Sequence, residues 1–329
     1  MQTLYLSRQG CYICLQQEQL LVKQREQILA KVQLPRLEQV LIFGKSQMTT
    51  QAIRACLQRD IPIAYLSRLG YCYGRILPIE RGYRQLARYQ QQLSQVDRLI
   101  VAQNIVRSKL KNSRTLLLRQ RRRHPNPQLD IVIEQLAQLI KKISKTHQID
   151  ALMGIEGAGA AQYFPAFGQC LTHSDFQFRE RRRRPPSNPV NALLSFGYQV
   201  LWNHLLSLLE LQGLDPYHAC LHSGSERHAA LASDLIEEFR APLVDSLVLW
   251  LINSRTLTQQ DFEYRDQGCF LNDQGRSHYL KYFAQRMEET IQAADGSQQP
   301  RWHLLSQQVK AFKKFVYQPS YPYQPYEIR

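Results

Sequence analysis

No apolar run in this 329-residue chain approaches the ~20 residues that a membrane-spanning helix needs. The closest, Leu247 to Ile252, is short and sits beside Asp245. This reads as a protein without a membrane anchor. The opening Met1-Gln2-Thr3-Leu4-Tyr5 is too polar for a signal peptide and soon meets Arg8. Cysteine is sparse: the seven residues form an odd count without framework spacing, so free thiols in a reducing, cytoplasmic compartment are expected. Cys11-Tyr12-Ile13-Cys14 has no second pair of this kind, and a structural zinc ion needs four ligands. Acid is also scarce. Asp and Glu number 27 against 42 Lys and Arg, a formal net charge of +15. That balance points to a polyanion partner, with nucleic acid the default. The chain is not disordered, because 44% of its residues are hydrophobic and 10% aromatic. At about 150 residues per domain, its length suggests roughly two domains.

The organisation changes near residue 80. Before it, short aliphatic runs bounded by polar clusters predict strands: Thr3–Leu6, Cys11–Leu15, Gln19–Lys23, Gln27–Val32, Gln39–Phe43 and Ile61–Leu66. One short helix interrupts them at Thr49–Arg59. Tyr5-Leu6-Ser7-Arg8 with Gly10 echoes Tyr65-Leu66-Ser67-Arg68 with Gly70, which suggests two similar hairpins. After residue 80, helical patterns dominate. They cover Gln85–Lys111, Leu129–Ile143, Ala192–Leu211, Ala230–Phe239, Pro242–Ile252, Gly275–Ala293 and Leu304–Val316. The expected fold is α+β: a β-rich domain over 1–79, an all-α catalytic domain over 80–316, and a tail over 317–329. Runs of strands followed by runs of helices argue for separate domains rather than a βαβ sheet. The tail, rich in Pro and Tyr, cannot be helical; disorder is expected, or an extended path on a partner.

Two arginine runs are candidates for phosphate contact. Arg119 to His124 lies between predicted helices, and Arg181-Arg182-Arg183-Arg184 precedes Pro185-Pro186. The acids are few enough to weigh singly. Glu156 stands among very small residues, Gly154 to Ala161, where a backbone or ligand can approach closely. Asp234, Glu237 and Glu238 fall at helical spacings of three and four, which predicts one strongly acidic face. His222 leads into the same helix. A cation would relieve the repulsion among these carboxylates, and carboxylates with one imidazole suit Mg²⁺ or Mn²⁺ better than zinc. The same acids also fit the start of a helix, whose dipole they complement.

Several motifs in order resemble the CRISPR-associated integrase family, the universal adaptation nuclease of CRISPR systems. They are Gly154-Ile155-Glu156-Gly157 with Tyr163-Phe164; Arg184-Pro185-Pro186 leading to Pro189-Val190-Asn191-Ala192-Leu193-Leu194-Ser195-Phe196-Gly197-Tyr198; and Gly213-Leu214-Asp215-Pro216-Tyr217, Leu221-His222 and Asp234 to Arg240. The resemblance covers nearly the whole chain. It implies a divalent ion, Mg²⁺ or Mn²⁺, held by Glu156, His222 and Glu237, with Asp234 supporting catalysis. It further implies that the 3′-hydroxyl of a captured DNA fragment attacks a phosphodiester at the edge of a CRISPR repeat. Arg181, Arg182, Arg183, Arg184 and Arg240 are the candidates for holding the DNA backbone, although Arg240 equally suits the acids of its own helix. The implied partners are double-stranded DNA, a second copy of the chain paired through the β-domain, and a small second adaptation protein. A local departure is His218-Ala219-Cys220, where the family often has a glycine and an aromatic; it removes no ligand. A stand-alone nuclease acting on branched DNA and a non-catalytic DNA-binding subunit remain the alternatives.

Overall fold

The computed structural model describes residues 2–6, 8–67, 72–79, 83–225, 228–292 and 298–328. Its N-terminal part holds strands β1 (Gln2–Leu6), β2 (Tyr12–Gln16), β3 (Gln19–Gln24), β4 (Gln27–Gln33), β5 (Leu37–Phe43), β6 (Gln47–Met48), β7 (Ile63–Leu66) and β8 (Cys72–Ile76), with helix α1 (Thr50–Leu57) between β6 and β7. They form two four-stranded sheets, ordered β4-β3-β2-β6 and β1-β5-β7-β8. The expected β-rich region is therefore present, but its topology differs from the sequence reading. β1, β5 and β7 are parallel. A parallel pair needs a crossover, and α1 provides it between β5 and β7. Thr49 starts that helix by accepting the Ala52 N–H at 3.1 Å. The runs of strands concealed this unit because only one short helix interrupts them. The first predicted hairpin is also corrected. The turn at Gly10 (φ +69°) links β1 to β2, and these strands lie in different sheets. Gly70 lies outside the described residues, although β7 and β8 on either side of it do pair antiparallel.

The helical part comprises α2 (Tyr83–Gln91), α3 (Gln95–Arg123), α4 (Pro127–Ile143), α5 (Ile149–Gln169), α6 (Pro189–Leu211), α7 (Ala230–Ile236), α8 (Ser246–Asn253), α9 (Asp273–Glu288) and α10 (Trp302–Tyr317). The helix expected over 85–111 is two helices, because the Ser94 side chain caps a new start by accepting the Asp97 N–H at 3.1 Å. Arg119–Arg123 lie on the last turns of α3 rather than between helices. Two small antiparallel strand pairs, β9–β10 (Phe262–Arg265 and Gly268–Leu271) and β11–β12 (Thr290–Gln292 and Gln298–Pro300), interrupt a region expected to be all helical. Among the described residues, no helix is long and apolar enough to cross a membrane.

One sheet serves two cores. Along β5, Val40 and Ile42 belong to the N-terminal core, while Leu41 and Phe43 belong to the helical core. Side chains alternate across a strand, so a continuous apolar run can feed both. The junction is sealed by Tyr5, whose ring meets Phe43, Phe283 and Trp302 at centroid distances of 5.7–6.5 Å. His204 of α6 lies fully buried in the same junction, with Tyr5 at Nε2 and Gln39 at Nδ1. Burial pulls its pKa down to about 3. A folded imidazole that titrates near 3 stays neutral, whereas the unfolded one takes a proton near 6.5. The unfolded chain therefore binds more protons between those values, and stability falls as pH drops from 6.5 toward 3. The expected loss at pH 5, relative to pH 7, is about 2 kcal/mol from this residue. Chemical denaturation at both pH values, with His204→Gln flattening the difference, checks it.

Candidate active site

Glu156 sits in the middle of α5, and the small residues around it explain its placement. A Cβ on Gly159 would stand 2.3 Å from Leu110 Cδ2, so any larger residue there would have to displace the Leu110 side chain between α5 and α3. Gly154 and Gly157 face open space instead. The close approach sets Glu156 beside Lys109 of α3, and the two are joined by an ion pair. Lys109 also reaches Glu237, at 2.6 Å from Oε2. Arg240 Nε lies 3.1 Å from the same oxygen. Two acids from distant segments thus converge on one cationic group. Burial pushes the Glu237 carboxyl up, but Arg240, Lys109 and His222 outweigh it and hold it at about 2. Glu237 is ionised at neutral pH.

The expected single acidic face does not form. α7 ends at Ile236, and the three carboxylates turn to three different sets of partners. Glu237 faces Lys109 and Arg240. Glu238 points away, toward Tyr323 and the Tyr326 N–H. Asp234, with 0% exposure, organises the loop before the helix. Its Oδ2 accepts the Cys220 and Leu221 N–H groups at 2.7 and 2.9 Å. Its Oδ1 accepts the His222 N–H at 2.9 Å and lies 2.8 Å from His222 Nδ1. A carboxylate with this many donors fixes the loop and the imidazole together. With Nδ1 committed, Nε2 is the nitrogen left for a ligand. Burial pulls the His222 pKa down, but the hydrogen bond and charge of Asp234 prevail and raise it.

The arginine candidates divide. Arg181 is engaged inside the protein: it donates to Asn191 Oδ1 at 2.8 Å and to Ser195 Oγ at 2.9 Å. Burial pulls its pKa down to about 10. Arg240 pairs with Glu237 and stacks over the Tyr198 ring at 4.4 Å. Arg182, Arg183 and Arg184 are exposed. Arg183 lines a narrow cleft with Lys109, Tyr198 and Arg240, so this exposed run begins at the site.

Sequence reasoning missed Lys109, Asp245, Tyr163 and Tyr198 as a supporting set. Tyr163 and Tyr198 donate to the two oxygens of buried Asp245, at 2.7 and 2.5 Å. Tyr198 in turn carries Arg240. Nothing local flags Lys109, because it lies 47 residues from Glu156 in sequence.

The donor types, rather than their present placement, are those of a divalent-cation site. Glu237 Oε2 is buried, faces positive charge and lacks a hydrogen bond of ordinary geometry. Two carboxylates and one imidazole nitrogen are ligands for Mg²⁺ or Mn²⁺. Among the described residues, no group of three His, Cys, Asp or Glu side chains is placed to hold a metal ion, and the Lys109 ammonium stands between Glu156 and Glu237. The seven cysteines are all free, and Cys220 meets the site through its backbone N–H on Asp234.

The model of the CRISPR associated protein Cas1 family matches residues 4–285. A fusion of CRISPR-associated exonuclease Cas4 and endonuclease Cas1 from Geobacter sulfurreducens is 33% identical over 302 residues, 88% of this chain and 53% of that protein. The chain thus spans about half the length of such fused relatives. A CRISPR-associated endonuclease Cas1 from Thermus thermophilus is 31% identical over 94% of this chain and 95% of its own. Among solved structures, a CAS1 protein from Thermotoga maritima superimposes with a TM-score of 0.80 at 25% identity, covering 100% of both chains. A chain of a Cas6-RT-Cas1–Cas2 complex gives 0.81 at 27% identity, over 99% of this chain and 36% of that one. The motifs around Glu156, His222 and Glu237 and the match over nearly the whole length agree: the chain belongs to the CRISPR associated protein Cas1 family.

Proposed function

We propose that the protein is a metal-dependent DNA endonuclease and integrase of CRISPR adaptation. It joins a captured fragment to the CRISPR array by phosphodiester transesterification. The fragment's 3′-hydroxyl oxygen forms a new bond to a repeat phosphorus as the repeat's own P–O bond breaks, so no covalent protein intermediate is needed. The observation that carries this reading is the convergence of Glu156 and Glu237 on one cationic position inside a protein of net charge +15. Glu156 lies seven residues into a helix that starts at Ile149, too deep to serve as a cap, which weakens a non-catalytic reading.

Glu156, His222 and Glu237 would hold Mg²⁺ or Mn²⁺. When bound, the ion supplies Lewis-acid stabilisation of the charge that develops on the phosphate oxygens. The chain's own residues do the rest. Asp234 keeps a proton on His222 Nδ1, so that Nε2 presents its lone pair to the site. Arg240 and Lys109 balance the ionised Glu237. Arg182, Arg183 and Arg184 extend positive charge outward, where they would grip DNA phosphates and fix its register without reading sequence. The partners proposed are double-stranded DNA, a second copy of the chain through the β-rich region, and a small Cas2 protein. The last is supported by the likeness to a chain from a complex named for Cas1 and Cas2.

The test is an integration assay. A repeat-containing plasmid, a short duplex with free 3′-hydroxyls and the small partner are incubated with the protein in Mg²⁺ or Mn²⁺. Joined product is expected. Nicking without joining, where a known integrase joins, would instead favour a stand-alone nuclease. Activity that needs neither ion and yields to a zinc-selective chelator would overturn the metal assignment.

A further inference from the structure

Beyond α10 the chain turns back across α3 toward Glu237. Pro319, Pro322 and Pro325 keep this segment from becoming helical, as its composition requires. It is not disordered, contrary to the sequence expectation, and the partner it lies on is its own chain. Tyr323 is 1% exposed, and its ring meets Phe312 edge-on at 5.8 Å. The Tyr323 O–H and the Tyr326 N–H donate to the two oxygens of Glu238, one each. The carbonyls of the segment are held as well. Asn104 Nδ2 donates to the Tyr323 carbonyl at 3.0 Å, and Ser108 Oγ to the Tyr326 carbonyl at 2.6 Å. Asn112 Nδ2 lies 2.8 Å from both the Tyr326 and the Glu238 carbonyls, and its Oδ1 accepts the Ile328 N–H at 2.8 Å. The Tyr326 ring stacks on Phe239 at 5.7 Å.

The arrangement is specific in what it connects. Glu238 and Phe239 are the two residues that follow Glu237. Ser108 and Asn112 flank Lys109 on α3, the residue that bridges Glu237 to Glu156. One segment therefore ties the turn that carries Glu237 to the helix that carries its counter-ion. A segment bound only by apolar burial would not need two donors on a carboxyl group with 0% exposure, whose pKa burial pushes up to about 8. We infer that residues 319–328 form a strap that sets the position of Glu237, with Tyr323 and Glu238 as its positioning residues. Neither touches the reacting groups; both act through the turn after α7. This rests on the role proposed above for Glu237.

The test uses the full chain. Tyr323→Phe keeps the ring and removes one donor. Amide hydrogen exchange over residues 236–241 is expected to quicken about 10-fold, while β5 exchanges as before. The kcat for joining should fall about 10-fold with the KM for DNA unchanged, because small displacements of a catalytic group are costly. A chain stopped after residue 318 should show the same defects more strongly, and a peptide of residues 319–329 added in trans should reverse them. Unchanged exchange over 236–241 would overturn the strap. So would equal quickening in β5, which would mean a general loss of stability. Glu237→Gln separates the two ideas: joining that survives in that variant sinks the role of Glu237, while the exchange data still decide whether the strap holds the turn.

Discussion

Glu156→Ala is expected to lower strand joining and cleavage by about 10³-fold while DNA binding is retained. The size follows from the chemistry assigned to the residue. Glu156 is one of two carboxylates that meet at the same cationic position, and without it Glu237 is the one carboxylate left there. Retention of binding follows from charge. The variant removes one negative group and leaves Arg182, Arg183 and Arg184 exposed, so contacts with the DNA backbone persist. Retention of the fold follows from position. Glu156 lies mid-helix, where alanine is well tolerated, and Lys109 keeps its pairing with Glu237. The loss of stability should stay within about 1 kcal/mol. Gel-shift, thermal denaturation and joining assays on one preparation distinguish the outcomes. Joining that persists would remove Glu156 from the site. Lost binding together with lost activity would point to a folding defect.

Asp234→Asn is expected to act in the opposite pattern, on stability and activity together. The carboxylate is buried and receives three backbone N–H groups, while the side chain of His222 lies beside it. An amide has one oxygen and brings an NH₂ to face donors, which leaves buried groups unsatisfied. A loss of about 3 kcal/mol is expected in chemical denaturation. His222 also loses the anion that raises its pKa, so its protonation shifts to lower pH. In the wild type, a protonated Nε2 cannot bind a cation, and joining should fall as pH drops through that raised value. In the variant the same fall should occur at lower pH, on a rate already reduced. Second-sphere partners of this kind are worth about 10–100-fold in metal affinity. A variant with wild-type stability and an unmoved pH profile would contradict the role given to Asp234.

How much of this was legible in the sequence depends on the range of the interaction. The strand-to-helix change near residue 80 is local patterning, and the structure has it. The parallel core of the first sheet was not legible, because register and partner choice are set by both faces of β5 packing at once. Glu156, His222, Asp234 and Glu237 were singled out through ordered motifs. Their division of labour was not, because helical spacing puts Asp234, Glu237 and Glu238 on one face, and the helix ends before that geometry applies. Lys109 carries no signal of its own; it becomes meaningful only when α3 and α5 pack through Gly159. The tail was misread for a related reason. Proline and tyrosine exclude a helix, but whether an extended segment is ordered depends on what it finds, here a buried Glu238 and a row of polar side chains on α3.

The scarcity of acid in this chain gives the most direct test, because the acids at the site should be the ones that bind a cation. Mn²⁺ titration of the protein, followed by paramagnetic resonance, should show one ion per chain. Affinity should fall at least about 100-fold in Glu156→Ala and in His222→Ala. Unchanged Mn²⁺ binding in both variants would contradict a metal site built from Glu156, His222 and Glu237.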